Sequence, residues 1–144
     1  MIRAIRPADL DAAAALWLDA NREAHWFVPA AYWQSQLAAV RPQLLEAESY
    51  VFVEEDGTIS GLLGLQDALI AGLFVRRDVR SRGIGRQLLD FAKRRRTRLY
   101  LHVYRQNGRA EAFYRREGFR PCGRQLDEAT GQPETVMVWE AESH

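Results

Sequence analysis

The chain reads as a mixed α/β fold of seven strands and four helices, and three observations carry that reading. Short apolar runs recur along the 144 residues in the order strand, two helices, three strands, helix, strand, helix, two strands. The helical stretches between them suit layers covering the faces of a sheet. No linker of disordered composition breaks the series, so a single domain spanning 1–144 is expected.

The elements follow in order. "IRAIR" (2–6) alternates as a short strand. Pro7 and Asp9 offer a helix start, and "ADLDAAAALWLDANREA" carries helix formers through Ala24. Pro29 opens a second helix, "PAAYWQSQLAAV", which Pro42 is expected to interrupt. "SYVFVEE" and "TISGLLGLQ" are strands joined at "EDGT", a hairpin signal. "ALIAGLFV" (68–75) is apolar throughout, which predicts a strand buried on both faces. A helix is expected from about Gly83 to Arg96, then the strand "RLYLHV" (98–103). "NGRAEAFYRREG" is a helix with Asn107 near its start and Gly118 as its stop. "FRPCGRQLD" and "ETVMVWE" close the chain as strands around "EATGQP".

Composition excludes several function classes. The apolar runs are too short for a transmembrane helix, and "MIRAIRPADLD" lacks the apolar core of a signal peptide. One cysteine rules out an intramolecular disulfide framework, so a cytoplasmic protein without a membrane partner is expected. Cys122 itself reads as a small buried hydrophobe. Three histidines and one cysteine give no metal-site spacing, so no metal is expected. A net charge of +1 makes no demand for nucleic acid. "AKRRRTR" (92–98) reads as the solvated C-terminal end of a helix, where positive charge is favourable.

The densest charge lies in "VRRDVRSRGIGRQLL" (75–89), where five arginines and two glycines lead from a strand into a helix. The first helical N–H groups lack intrahelical partners, which makes this an anion site. Gly83 and Gly85 let backbone approach a ligand where a Cβ would intrude, and Arg80, Arg82 and Arg86 add mobile charge. No G-x-x-x-x-G-K-[ST] string exists, and only two glycines of a dinucleotide fingerprint are present.

"RSRGIG" fits [RQ]-x-x-G-x-[GA], the pyrophosphate loop of the GCN5-related N-acetyltransferases (GNAT family). "LFV" precedes it, "GRQLLDFA" follows it, and "QNGRAEAFYRREGFR" comes one strand later. That last string resembles the family's N-x-x-A-x-x-F-Y-x-x-x-G-F pattern at Asn107, Ala110, Phe113, Tyr114, Gly118 and Phe119. The chain thus resembles this family along essentially its whole length, and is nearest its small bacterial members. The resemblance implies a mostly antiparallel seven-stranded sheet flanked by about four helices and splayed between strands four and five.

It also implies chemistry. The cosubstrate would be acetyl-CoA, without a metal, and the acceptor a primary amine of a small molecule or peptide. The pyrophosphate would lie on backbone N–H groups of Arg80, Ser81, Arg82, Gly83, Ile84, Gly85 and Arg86. The pantetheine would run along Leu73, Phe74 and Val75, with Asn107 on the cofactor arm and the oxyanion served near Phe74 or Val75. Tyr114 would bind at the thioester and donate its proton to the departing thiolate, because a phenol of pKa about 10 is protonated at neutral pH. His25, Trp26 and Phe27 would face the acceptor. The family's usual strand acid is Ala71 here, which leaves the base open among His25, Glu23, Asp67 and water. A catalytically idle acyl-CoA sensor is the alternative this suggests, and a basic nucleic-acid module the reading the arginines alone would allow. A monomer or homodimer is compatible with all three.

Overall fold

The computed structural model describes residues 1–80 and 82–142. Seven strands form one sheet in the order β1-β2-β3-β4-β5-β7-β6: β1 (Ile2–Ala4), β2 (Glu48–Val53), β3 (Ile59–Gln66), β4 (Leu69–Val75), β5 (Arg98–Tyr104), β6 (Arg120–Leu126) and β7 (Pro133–Glu140). Four helices accompany them: α1 (Leu10–Ala24), α2 (Ala30–Glu46), α3 (Ile84–Arg95) and α4 (Gly108–Arg116). Every neighbouring pair is antiparallel except β4 with β5. That parallel pair shares one register position, Leu69 with Tyr100. Beyond it no pairing between the two strands follows among the described residues, so the sheet is splayed where the resemblance implied.

Period-two alternation distributes the side chains between two cores. Leu63, Leu65, Leu99, Leu101, Val103 and Met137 pack with Leu88, Leu89 and Ala92 of α3. Val51 and Leu62 turn the other way and pack with Ala13, Leu16 and Leu44 of α1 and α2. The α3 contact is close because Gly61 has no side chain. A Cβ there would stand 2.8 Å from Leu88 Cδ1 and 3.1 Å from Ile84 Cγ2. The β2–β3 turn closes on Gly57 at φ +89°, with Glu54 N–H donating to Thr58 O.

Three expectations are corrected. First, α2 runs through Pro42. The exposed proline removes only the hydrogen bond to the Ala38 carbonyl, while buried Trp33 and Leu44 hold the helix on either side. Second, β4 is not buried on both faces. Ile70 alone is buried, Ala71 is exposed, and Gly72 to Val75 are half-buried because the splay leaves this strand without a full neighbour. Third, Cys122 is exposed. It is the extra residue of a bulge between Pro121 and Gly123 on the edge strand β6, which is solvent-exposed along its length. No described helix is long and apolar enough to cross a membrane, and no group of three potential metal-ligating residues occurs among the described residues.

Candidate active site

The splay leaves the C-terminal half of β4 with a free edge. Arg76 N–H donates to Ser60 O, and the β3–β4 register runs unbroken from Gly61–Val75 back to Gly64–Gly72. Hydrogen-bonded and open pairs alternate in an antiparallel ladder. The Phe74 and Gly72 amides therefore face β3, and those of Leu73 and Val75 face the gap toward β5. A bulge follows at Ala71, where Leu65 pairs with Ile70 directly after Gly64 pairs with Gly72. The Leu73 and Val75 side chains join the α3 core, and Phe74 joins the α1–α2 core.

At the end of β4 a 3₁₀ turn (Arg77–Val79) leads to α3, whose start carries no side-chain cap among the described residues. The first bond in the helix runs from Gln87 N–H to Gly83 O at 3.0 Å, so the amides of Ile84, Gly85 and Arg86 precede the ladder. The two glycines do different work. Gly83 has φ +79° and nothing within 4 Å of a Cβ position, so its need is conformational. Gly85 has ordinary φ, and a Cβ there would make normal contacts with Phe113 at 3.5 Å and Val75 at 3.6 Å. An open strand edge running into an uncapped helix start fits an extended amide chain ending in a pyrophosphate. The acetyl-CoA implied by the sequence therefore suits these residues.

Each arginine of the 75–89 run lies beside an acid. Arg80 binds Glu23 of α1 through two bonds, at 2.5 and 3.2 Å. Arg76 holds Asp78 at 2.5 Å, Arg82 meets Glu54 at 3.2 Å and Arg86 meets Glu117 at 3.4 Å. Glutamates brought from distant elements offset the run, which local sequence could not reveal. Ser81 lies outside the described residues. Arg95 and Arg96 lie at the opposite end of α3, about 18 Å away by helical rise. Arg95 stacks on Phe91 at 3.5 Å, and Arg96 donates to Asp67 O and Glu48, so these side chains serve packing.

On α4, Asn107 is the N-cap, its Oδ1 accepting from Ala110 N–H at 3.3 Å while its Nδ2 donates to no described residue. Tyr114 is two turns further on. Its ring packs on Phe113 and Phe119, and desolvation raises its phenol above the ordinary range. The Tyr114 hydroxyl takes no hydrogen-bond partner among the described residues. Phe113 reaches the first turn of α3 beside Gly85, so α4 and the loop close the same end of the splay.

His25, Trp26 and Phe27 form the α1–α2 connector. The His25 ring lies 4.7 Å from Tyr104 and 5.5 Å from Trp33, and Phe27 lies 5.5 Å from Tyr104. Trp26 packs edge-on to Phe27 and is 73% exposed. Beside this wall, a cleft of about 1390 Å³ lined by Ala12, Leu16, Ala20, Glu23, Val75 and Arg80 opens along α1. Of the base candidates, Glu23 is held by Arg80, and Asp67 sits in the β3–β4 turn at the far end of β4. Sequence reading missed Tyr104 and Asp127, joined by a 2.6 Å hydrogen bond. The available signal was the alternation of Tyr100, His102 and Tyr104 on the β5 face turned away from α3.

Residues 46–121 match the family model described as an acetyltransferase (GNAT) domain. Peptidyl-lysine N-acetyltransferase YiaC of Escherichia coli is 33% identical over 96% of each chain. Peptidyl-lysine N-acetyltransferase YjaB of the same organism is 32% identical over 94% of this chain and 92% of its own. The solution structure of apo YjaB superposes with a TM-score of 0.87 at 29% identity, covering 99% of this chain and 98% of that one. The coenzyme A complex of the PaiA N-acetyltransferase of Thermoplasma acidophilum has the same fold, with a TM-score of 0.79 at 18% identity over 97% of this chain and 98% of that one.

Proposed function

Since the chain belongs to the GNAT family of acetyltransferases and is an acetyl-CoA-dependent N-acetyltransferase, we propose that it acts as one domain and transfers acetyl directly to a lysine side-chain amine of a peptide or protein. The observation that carries this reading is the uncapped start of α3 beside the unpaired edge of β4. Backbone amides there supply fixed positive dipoles for the pyrophosphate, and the Leu73 and Val75 edge pairs with the pantetheine amides by strand addition. The lysine acceptor rests on the names of YiaC and YjaB.

Direct transfer needs three things from the protein. The Leu73 N–H, turned toward the gap at the acetyl-bearing end of the edge, stabilises negative charge developing on the thioester oxygen, which leaves the Val75 N–H to the pantetheine. Tyr114 protonates the sulfur as the C–S bond breaks. Partial burial against Phe113 and Phe119 keeps the phenol protonated, and its hydroxyl, unpartnered among the described residues, is free to donate. The attacking nitrogen must lose its proton, and with alanine at position 71 that proton leaves through solvent or the acceptor wall.

The test is thiol release from acetyl-CoA with lysine peptides, free amino acids and polyamines as acceptors. Acetylation of the peptide lysine, located by mass spectrometry, supports the proposal. Transfer to free amino acids or polyamines with none to the peptide lysine would overturn the lysine assignment.

A further inference from the structure

Two elements meet at Tyr104, the last residue of β5, and a third faces its partner. Its ring meets His25 and Phe27 of the α1–α2 connector. Its hydroxyl donates to Asp127 Oδ2, in the loop between β6 and β7. Tyr32, in the first turn of α2, has its phenol pKa raised by burial and by the charge of Asp127, so α2 faces the same carboxylate. Counting from the Leu69–Tyr100 pair, Tyr104 stands at about the level of Leu73 and Phe74, across the gap from the acetyl-bearing end of the cofactor path.

The acids around the loop, Glu23, Glu54, Asp78 and Glu117, each pair with an arginine, whereas Asp127 forms no ion pair among the described residues and feels only the more distant charge of His102. Neutral donors hold it instead: Tyr104 Oη at 2.6 Å, Thr130 Oγ1 at 2.7 Å and Ala129 N–H at 3.3 Å. A carboxylate offers about four acceptor positions, so Oδ1 keeps room for one more donor. Burial works to raise the Asp127 carboxyl, and the bonds from Tyr104 and Thr130 outweigh it, leaving the group below the usual carboxylate range. A fixed negative charge thus stands beside aromatic faces that attract cations.

We propose that Asp127 is the specificity-determining residue for the acceptor, receiving the incoming lysine ammonium with its methylene stem against Phe27 and Tyr104, after which the nitrogen releases its proton to solvent and attacks as the free amine. This rests on the acetyl-transfer reading above and names the chemistry its acceptor must have. Tyr104 is a positioning residue in this scheme, holding the carboxylate toward the ring wall.

The experiment compares two peptides at pH 7.5, one with lysine and one with a neutral aminooxy side chain of similar length. Asp127→Asn keeps the shape and removes the charge. It should raise KM for the lysine peptide about tenfold or more, as loss of a charge-assisted hydrogen bond implies. KM for the aminooxy peptide and for acetyl-CoA should stay within twofold, and Asp127→Glu should recover part of the lysine preference. Tyr104→Phe, which keeps the ring, should give a smaller rise in lysine KM. Equal rises for both peptides, a parallel rise for acetyl-CoA, or no change would overturn the assignment. If the wild type acetylates neither peptide, the acetyl-transfer reading falls first and this one with it.

Discussion

Replacing Gly85 by alanine separates cofactor binding from stability at a position where most substitutions would confound them. The residue sits in the first turn of α3 at ordinary φ, and a Cβ would meet Phe113 and Val75 at van der Waals distance. Alanine in place of a helical glycine stabilises by about 0.5–1 kcal/mol. For a chain of this size that raises Tm by about 1–4 °C. That methyl group points at Phe113 and Val75, away from the bare amides, and the family's loop pattern accepts alanine here, so acetyl-CoA affinity should stay within threefold. Gly83→Ala is the opposite case. At φ +79° a Cβ costs about 1–2 kcal/mol, so its Tm should fall, and relief of that strain turns the bare amides out of line. Loss of one charge-assisted hydrogen bond there costs about 1.5–3 kcal/mol, or about 10- to 150-fold in Kd. Calorimetric titration with acetyl-CoA and a thermal melt of the free protein read the two effects apart. Affinity within threefold of wild type in a folded Gly83→Ala protein would refute the placement of the pyrophosphate at this turn.

Tyr114→Phe should lower kcat by about 100-fold or more with little change in acetyl-CoA KM, as removal of a general acid predicts in steady-state assays. Because burial raises the Tyr114 phenol, wild-type kcat should show no alkaline loss up to about pH 10, and a falling limb below that would assign the acid elsewhere. Ser60 is fully buried and its hydroxyl has no partner among the described residues, so Ser60→Ala should stabilise by about 1 kcal/mol in urea denaturation. The Arg3 guanidinium, bound to Asp9 at 2.6 and 3.0 Å, holds that carboxyl below its usual range. A depressed folded pKa contributes stability above the unfolded value, about pH 4, and that stability is lost as pH falls through the folded value. Acid melts of Asp9→Asn should lack this part of the limb.

The order of elements was legible because each one has a local cause. Alternating apolar residues make β2 and β3, Asn107 caps α4, and Gly118 at φ +94° ends it. The turn before α3 was legible for a related reason. A helix start after a left-handed glycine is written in consecutive residues, and the same strings carry the family resemblance. Where sequence reading went astray, the deciding term was non-local. An apolar β4 was expected to be buried, and the splay leaves it half open. Cys122 was expected inside and lies on a bulged edge strand. Pro42 was expected to end a helix that buried neighbours carry through.

The partners of the charged groups were decided by tertiary structure alone. Arg80 and Glu23 are 57 positions apart, and Tyr104 and Asp127 are 23 apart. No local pattern marks either pair, because each side chain takes its partner from whatever the folded sheet brings within hydrogen-bond reach. The sequence by itself therefore determined the order of elements and the glycine turn before α3, both set by short-range preference and patterning. Which acid each arginine meets, and that Tyr104 rather than an arginine holds Asp127, follow from contacts between distant elements that form only when the sheet closes.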